Sequence, residues 1–139
     1  MIDTTVLIDL ERGAALDPVY AERIPNGPLR VSLISIAELQ VGIEYAKTPE
    51  QAASRKNFLE LVLNEFTVEM PSLQTAIHAG RVMHQLQSQG QRIGMHDSWI
   101  AATALGLGVP VVTANVAHFS RIRGLHVIPW LHAAAQQKK

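Results

Sequence analysis

Three carboxylates stand at positions where they could do chemistry together. Asp3, in MIDTTVLIDL, and Asp97, in GMHDSWIAAT, each open onto an apolar run, and Glu38 lies within SLISIAELQ. Carboxylate oxygens suit hard divalent cations such as magnesium, which keep several waters and share the rest of their shell with substrate phosphates. The expected chemistry is therefore phosphoryl chemistry. Asn115, just after Val111-Val112-Thr113, offers a neutral oxygen ligand or a donor to phosphate. Thr4, Thr5 and Thr113 offer hydroxyls to metal-bound water or to backbone, and Arg92, Arg121 and Arg123 offer guanidinium forks that match phosphate geometry.

Each of these residues also has a structural explanation. Asp3 and Asp97 both fit helix N-caps, although Asp97 precedes a run so apolar that a charge there needs a partner or a metal. Ser35-Ile36-Ala37-Glu38 matches a capping box, in which the glutamate bonds back to the serine amide. Asn115 fits a turn residue in a left-handed conformation. Surface arginines are most often simply solvated. His78 and His84 are six apart and point to different faces of one predicted helix, unlike the pair that holds zinc in a metalloprotease. His96 and His118 flank the acids, and for both a plain surface or core role outweighs a phosphate contact.

The elements that must position these groups follow from periodicity. Met1 to Asp3 reads as the end of a strand leading into a short helix that stops at Gly13; a polar segment with Pro18, Pro25 and Pro28 follows. A strand over Leu29 to Ser32 precedes a helix carrying Ile36, Leu39 and Ile43. Pro49 resets the chain for a helix over Glu50 to Asn64, and Phe66 to Met70 reads as a strand. Ser72 caps a long helix closed by Gly90, Asp97 opens a buried one closed by Gly108, and Val109 to Thr113 is the next strand. A short helix and a strand ending near Ile128 follow. Strands alternating with helices predict an α/β fold with a central parallel sheet and helices on both faces, whose ligands sit beyond the carboxyl ends of the strands. Asp3, Glu38, Asp97 and Asn115 then share one rim.

A chain of 139 residues fits one domain over 1–139, with 136–139 as a flexible tail. Twelve basic and twelve acidic residues cancel, so any nucleic-acid contact must be local. With no cysteine there are no disulfides or thiolate metal sites, and no apolar stretch is long enough for a membrane span. A soluble, cytoplasmic protein is expected.

The segments Asp3-Thr4-Thr5-Val6-Leu7-Ile8, Ser35-Ile36-Ala37-Glu38-Leu39 with Gly42-Ile43, and Ile93-Gly94 through Asp97 with Ile100-Ala101-Ala102-Thr103-Ala104 together resemble the PIN-domain ribonucleases, most closely VapC-type toxins of bacterial toxin-antitoxin pairs. Val111-Val112-Thr113, Asn115, His118-Phe119, Arg121-Ile122, Gly124-Leu125, Val127 and Trp130 extend the likeness over essentially the whole chain. The resemblance implies an α/β/α sandwich that holds Mg²⁺, or Mn²⁺ in its place, on Asp3 and Asp97 with Glu38 as third acid. It implies endonucleolytic cleavage of structured RNA, such as a tRNA or rRNA loop, to a 5′-phosphate and a 3′-hydroxyl. It also implies a homodimer neutralised by a VapB-like antitoxin, alone or within a larger toxin-antitoxin assembly. Asn115 stands where many members carry a fourth acid, as does His118 in others, and Arg123 stands where related toxins often carry proline. Only two residues precede Asp3, so its strand is unusually short.

Two other classes compete. A PIN fold lacking the fourth acid could bind RNA or a partner without cutting. A phosphatase forming an aspartyl-phosphate would use Asp3 as nucleophile, but Thr5 fills the place of the second aspartate it wants, and the only lysines are 47, 56, 138 and 139.

Overall fold

The computed structural model describes residues 1–15 and 18–131, so the expectation of a flexible tail at 136–139 lies outside the described residues. Its elements run α1 (Thr4–Glu11), α2 (Pro18–Ala21), β1 (Arg30–Ser32), α3 (Leu33–Glu44), α4 (Pro49–Glu65), β2 (Thr67–Glu69), α5 (Leu73–Ser88), α6 (Met95–Leu107), β3 (Val111–Thr113), α7 (Val116–Phe119) and β4 (Val127–Pro129). β1 pairs with β2 and β3 with β4, both parallel. Ile2 bridges Val31 on one side and Val112 on the other. The order across the sheet is therefore β2, β1, Ile2, β3, β4, and the short first strand is held from both flanks.

Alternation along these strands builds two cores. Ile2, Val112 and Ile128 face a cluster with Val6 and Leu7 of α1, Leu39 of α3, and Leu59 and Val62 of α4. Met1 and Val111 face the other way, onto Val82 and Leu86 of α5 and Ile100, Ala101 and Ala104 of α6. Each fully buried aliphatic side chain contributes about 1.5–3 kcal/mol relative to exposure, which outweighs the weak pairing of three-residue strands. The expected α/β/α layering is what this packing produces.

Local signals set most helix ends. Thr48 accepts from the Gln51 amide ahead of Pro49 at the first helical position, and Ser72 and Thr75 form a reciprocal capping box. Gly108 ends α6 with φ of 65°, a left-handed conformation that a side chain would disfavour. Three expectations are corrected. The helix carrying Glu38 begins at Leu33 and is capped by Ser32, so Ser35 and Glu38 lie inside it and form no capping box. Asp97 is the third residue of α6, whose N-cap is Gly94, so it does not cap that helix. Asn115 is the N-cap residue of α7 with φ of −96°, so it occupies no left-handed turn, and its side chain makes no cap bond. Pro18–Ala21, read from sequence as irregular, is helical.

Candidate active site

Asp3 follows directly on the bridging residue Ile2 and serves as the N-cap of α1, its Oδ1 accepting from the Thr4 amide at 2.8 Å. It is only 2% exposed. Its Oδ2 accepts from two hydroxyls, Thr5 Oγ1 at 2.7 Å and Thr113 Oγ1 at 2.8 Å. Those hydroxyls are themselves oriented by backbone: the Asn115 amide donates to Thr113 Oγ1 at 2.9 Å and the Ala114 amide to Thr5 Oγ1 at 3.3 Å. Of the roughly four acceptor directions on a carboxylate, three are taken and one on Oδ1 stays open.

Thr4 extends the cluster from α1 to α3. Its hydroxyl meets Glu38 Oε2 and lies 2.9 Å from Ser35 Oγ. The other glutamate oxygen, Oε1, lies 3.0 Å from His96 Nδ1. One helical position on, Asp97 Oδ2 lies 3.5 Å from His118 Nδ1, which also lies 2.7 Å from Asn115 Nδ2. A ring nitrogen serves these two partners in different protonation states: bare, it accepts from the amide, and protonated, it turns to the carboxylate.

Asp3, Glu38, Asp97, Asn115, Thr4, Thr5, Thr113 and His118 thus join in one network at the carboxyl ends of the central strands. The arginines divide. Arg121 braces the rim, with Nη2 donating to the Arg92 carbonyl at 2.8 Å and Nε to the His118 carbonyl at 3.4 Å. Arg123 is not gathered here; it lines a cleft with Arg81 and Gln85 of α5. Two residues had been given structural roles and turn out to join the network: His96, read as surface or core, touches Glu38, and Ser35, read as a cap, meets the Thr4 hydroxyl that Glu38 also contacts. His96 carried one usable signal, its place beside Asp97 at the start of a helix.

Burial, and next to it the negative charge of Asp3, push the Asp97 carboxyl above its ordinary range; the contact with His118 opposes this and Glu38 adds to it. A proton bound more tightly in the folded chain than in the unfolded one adds stability at low pH. That stability is lost as pH rises from the unfolded pKa through the raised folded one. Asp97→Asn is therefore expected to melt higher than the wild type in chelator at neutral pH, and the two should converge in acid below about pH 3.9. Equal melting temperatures at neutral pH would overturn this account.

Among the described residues, no three His, Asp or Glu side chains already form a group able to hold a metal ion. The donor chemistry nevertheless fits a hard cation: three carboxylates from three elements, with mutual repulsion that raises the pKa of one of them. Asp3, Asp97 and Glu38 are the residues that could hold it. Glu38 and Asp97 each have 28% of the side chain exposed, which leaves them room to turn.

The chain matches the PIN domain over residues 1–125. It is 34% identical over 134 residues to a protein of Haemophilus influenzae named Ribonuclease VapC1, covering 94% of this chain and 96% of that one. It is 26% identical over 130 residues to the tRNA(fMet)-specific endonuclease VapC of Shigella flexneri, covering 94% and 96%. Among solved structures it is similar to VapBC-1 from nontypeable Haemophilus influenzae, with a TM-score of 0.78 and 32% identity over 94% of this chain and 96% of that one.

Proposed function

The chain belongs to the PIN-domain family, alongside the VapC ribonucleases, and from that membership we propose that it is a magnesium-dependent endoribonuclease, the toxin of a toxin-antitoxin pair. Manganese would substitute for magnesium. The substrate is a loop of a structured RNA, a choice supported by the tRNA named for the Shigella flexneri relative and by the general preference of sequence-selective proteins for unpaired RNA bases. The products are a 5′-phosphate and a 3′-hydroxyl. The observation that carries the reading is the single hydrogen-bond network that ties Asp3 to Glu38 through Thr4 and to Asp97 through Thr113, Asn115 and His118.

In this mechanism Asp3 and Asp97 would hold the cation, with Glu38 as third acid. When bound, the metal supplies Lewis acidity toward a phosphate oxygen and lowers the pKa of water. Glu38 accepts the proton of the attacking water, and His96, 3.0 Å from Oε1, orients that carboxylate. Thr5 and Thr113 hold Asp3 through Oδ2, so that Oδ1 keeps a fixed direction. His118 and Asn115 line the rim where phosphate would enter. An aspartyl-phosphate route is disfavoured, because Asp3 is 2% exposed and three donors already bind its oxygens.

A VapB-like antitoxin is the proposed partner, working on a toxin homodimer in the cytoplasm. Val41 and Tyr45 are 52% and 79% exposed. They share a face of α3 with Glu38 at helical spacing, an apolar strip beside the acid that a partner helix would cover. Among the described residues no helix is long and apolar enough to cross a membrane.

The test is cleavage of a total-RNA pool with and without Mg²⁺, beside Asp97→Asn, with the new ends sequenced. Discrete cuts bearing 5′-phosphates, lost in the variant and in chelator, are expected. The second reading, an RNA- or partner-binding PIN fold that does not cut, draws on Asn115, which stands where many members carry a fourth acid. It would prevail if folded wild type left the pool intact.

A further inference from the structure

The net charge of zero conceals a division of sign. Residues 1–69 hold eleven of the twelve acidic residues; residues 70–139 hold only Asp97, together with six of the twelve Lys and Arg and all six histidines. The fold turns this division along the chain into one across the sheet. The acid-rich part supplies α1, α3 and α4, packed on the Ile2 face, and the acid-poor part supplies α5 and α6, packed on the Met1 face. The carboxylate cluster lies at the seam, where Asp3 follows Ile2.

On the α5–α6 side is a cleft of about 390 Å³ lined by His78, Arg81, Val82, Gln85, Leu105 and Arg123. Among the described residues no acidic one lines it. Arg81 and Arg123 are exposed, and among the described residues neither forms an ion pair. Gln85 fixes the cleft to the rim of the acid cluster: its Oε1 accepts from the Arg123 amide at 3.1 Å and its Nε2 donates to the Arg121 carbonyl at 3.0 Å. Arg121 in turn donates to the His118 carbonyl. Arg123 lies five positions after His118, a span of at most about 18 Å, and the turn bond from Ile122 N to Phe119 O at 3.1 Å shortens it.

We propose that the Arg81–Arg123 cleft binds backbone phosphates of the RNA a few nucleotides from the bond that the acids cut. The inference rests on the ribonuclease reading of the acid cluster. Two guanidinium groups that form no ion pair among the described residues suit phosphodiester oxygens. The neighbouring acid cluster repels phosphate unless a cation is bound, so affinity for the flanking strand must come from a surface of opposite sign. His78 lines the same cleft and adds a further donor.

The test measures binding of a fluorescein-labelled single-stranded RNA to the full chain in chelator, where no cleavage is expected, as a function of salt. Each phosphate contact contributes about 0.7 to the slope of log K against log salt for a single strand. The double variant Arg81→Gln, Arg123→Gln should lower that slope by about 1.4 and weaken binding at low salt. Lys47→Gln, Lys56→Gln, which removes the same charge near and on α4, should leave the slope unchanged. An unchanged slope in the arginine variant, an equal fall in the lysine variant, or no RNA binding by the wild type would each overturn the proposal. So would tighter binding of polyglutamate than of RNA, which would assign the cleft to an acidic protein segment. Because binding is read without catalysis, failure of the cleavage reading shows separately, as intact RNA in the magnesium assay.

Discussion

Asp3→Asn is expected to reduce RNA cleavage at least about a thousandfold, the scale on which removal of a central electrostatic group acts, and also to destabilise the fold. The second effect follows from the hydrogen-bond directions. Asp3 accepts from the Thr4 amide on one oxygen and from the Thr5 and Thr113 hydroxyls on the other. An asparagine amide must turn its NH₂ toward one of these sets, placing donor against donor at a buried position. Each hydroxyl accepts from the Ala114 or Asn115 amide and donates its hydrogen to Asp3, so an NH₂ in place of Oδ2 takes away the acceptor for both hydrogens. Such a mismatch costs about 1–3 kcal/mol. Asp97→Asn should move stability the other way in chelator, since it removes a carboxylate that burial and Asp3 disfavour. Two isosteric substitutions at one site with opposite signs are a sharper check than activity alone. Magnesium should raise the melting temperature of the wild type, by about 2.7 kcal/mol of stability at a hundredfold excess over Kd, and raise neither variant. A thermal shift in Asp3→Asn equal to the wild type would remove Asp3 from the proposed cation site.

Phe119→Ala is expected to cost about 3–5 kcal/mol, the range for truncating a buried aromatic ring, or on the order of 10–20 °C in Tm. Phe119 is fully buried on α7 against the cluster that includes Val111, Ile100 and Leu86. It follows His118 directly and lies four residues after Asn115, so it fastens the short helix that presents them. Four residues cannot hold a helix by hydrogen bonding alone, and this ring supplies the anchoring. Phe119→Leu, which retains most of the volume, should lose clearly less stability in the same denaturation experiment. A cost below about 1 kcal/mol for the alanine variant would mean that α7 is held by something else.

The elements were legible where local spacing determines them. Ser72 and Gly90 bracketed α5 because a hydroxyl cap and a terminal glycine act within one turn, and the apolar run after Asp97 announced a buried helix, with Ile100, Ala101, Ala102 and Ala104 at 0% exposure. The capping box at Ser35 misled because the same four residues satisfy that pattern inside a helix. Ser32, three residues earlier, is an equally good cap and has the strand behind it. The charge division on which the basic cleft rests was present in the sequence, but a balanced total masks it.

The sequence by itself determined which groups can do chemistry here: the three carboxylates, their place at the starts or early turns of helices, and the alternation that makes a parallel sheet. Tertiary structure alone decided their partners. Thr113 reaches Asp3 across 110 positions, Thr4 meets Ser35 across 31 and His96 meets Glu38 across 58, while Arg123 leaves Arg121 for the side of α5. Helix and strand periodicity is a property of residues two to four apart and can be read along the chain. Contacts between distant segments depend on which strands lie side by side, and the placement of Ile2 between β1 and β3 brought these side chains together.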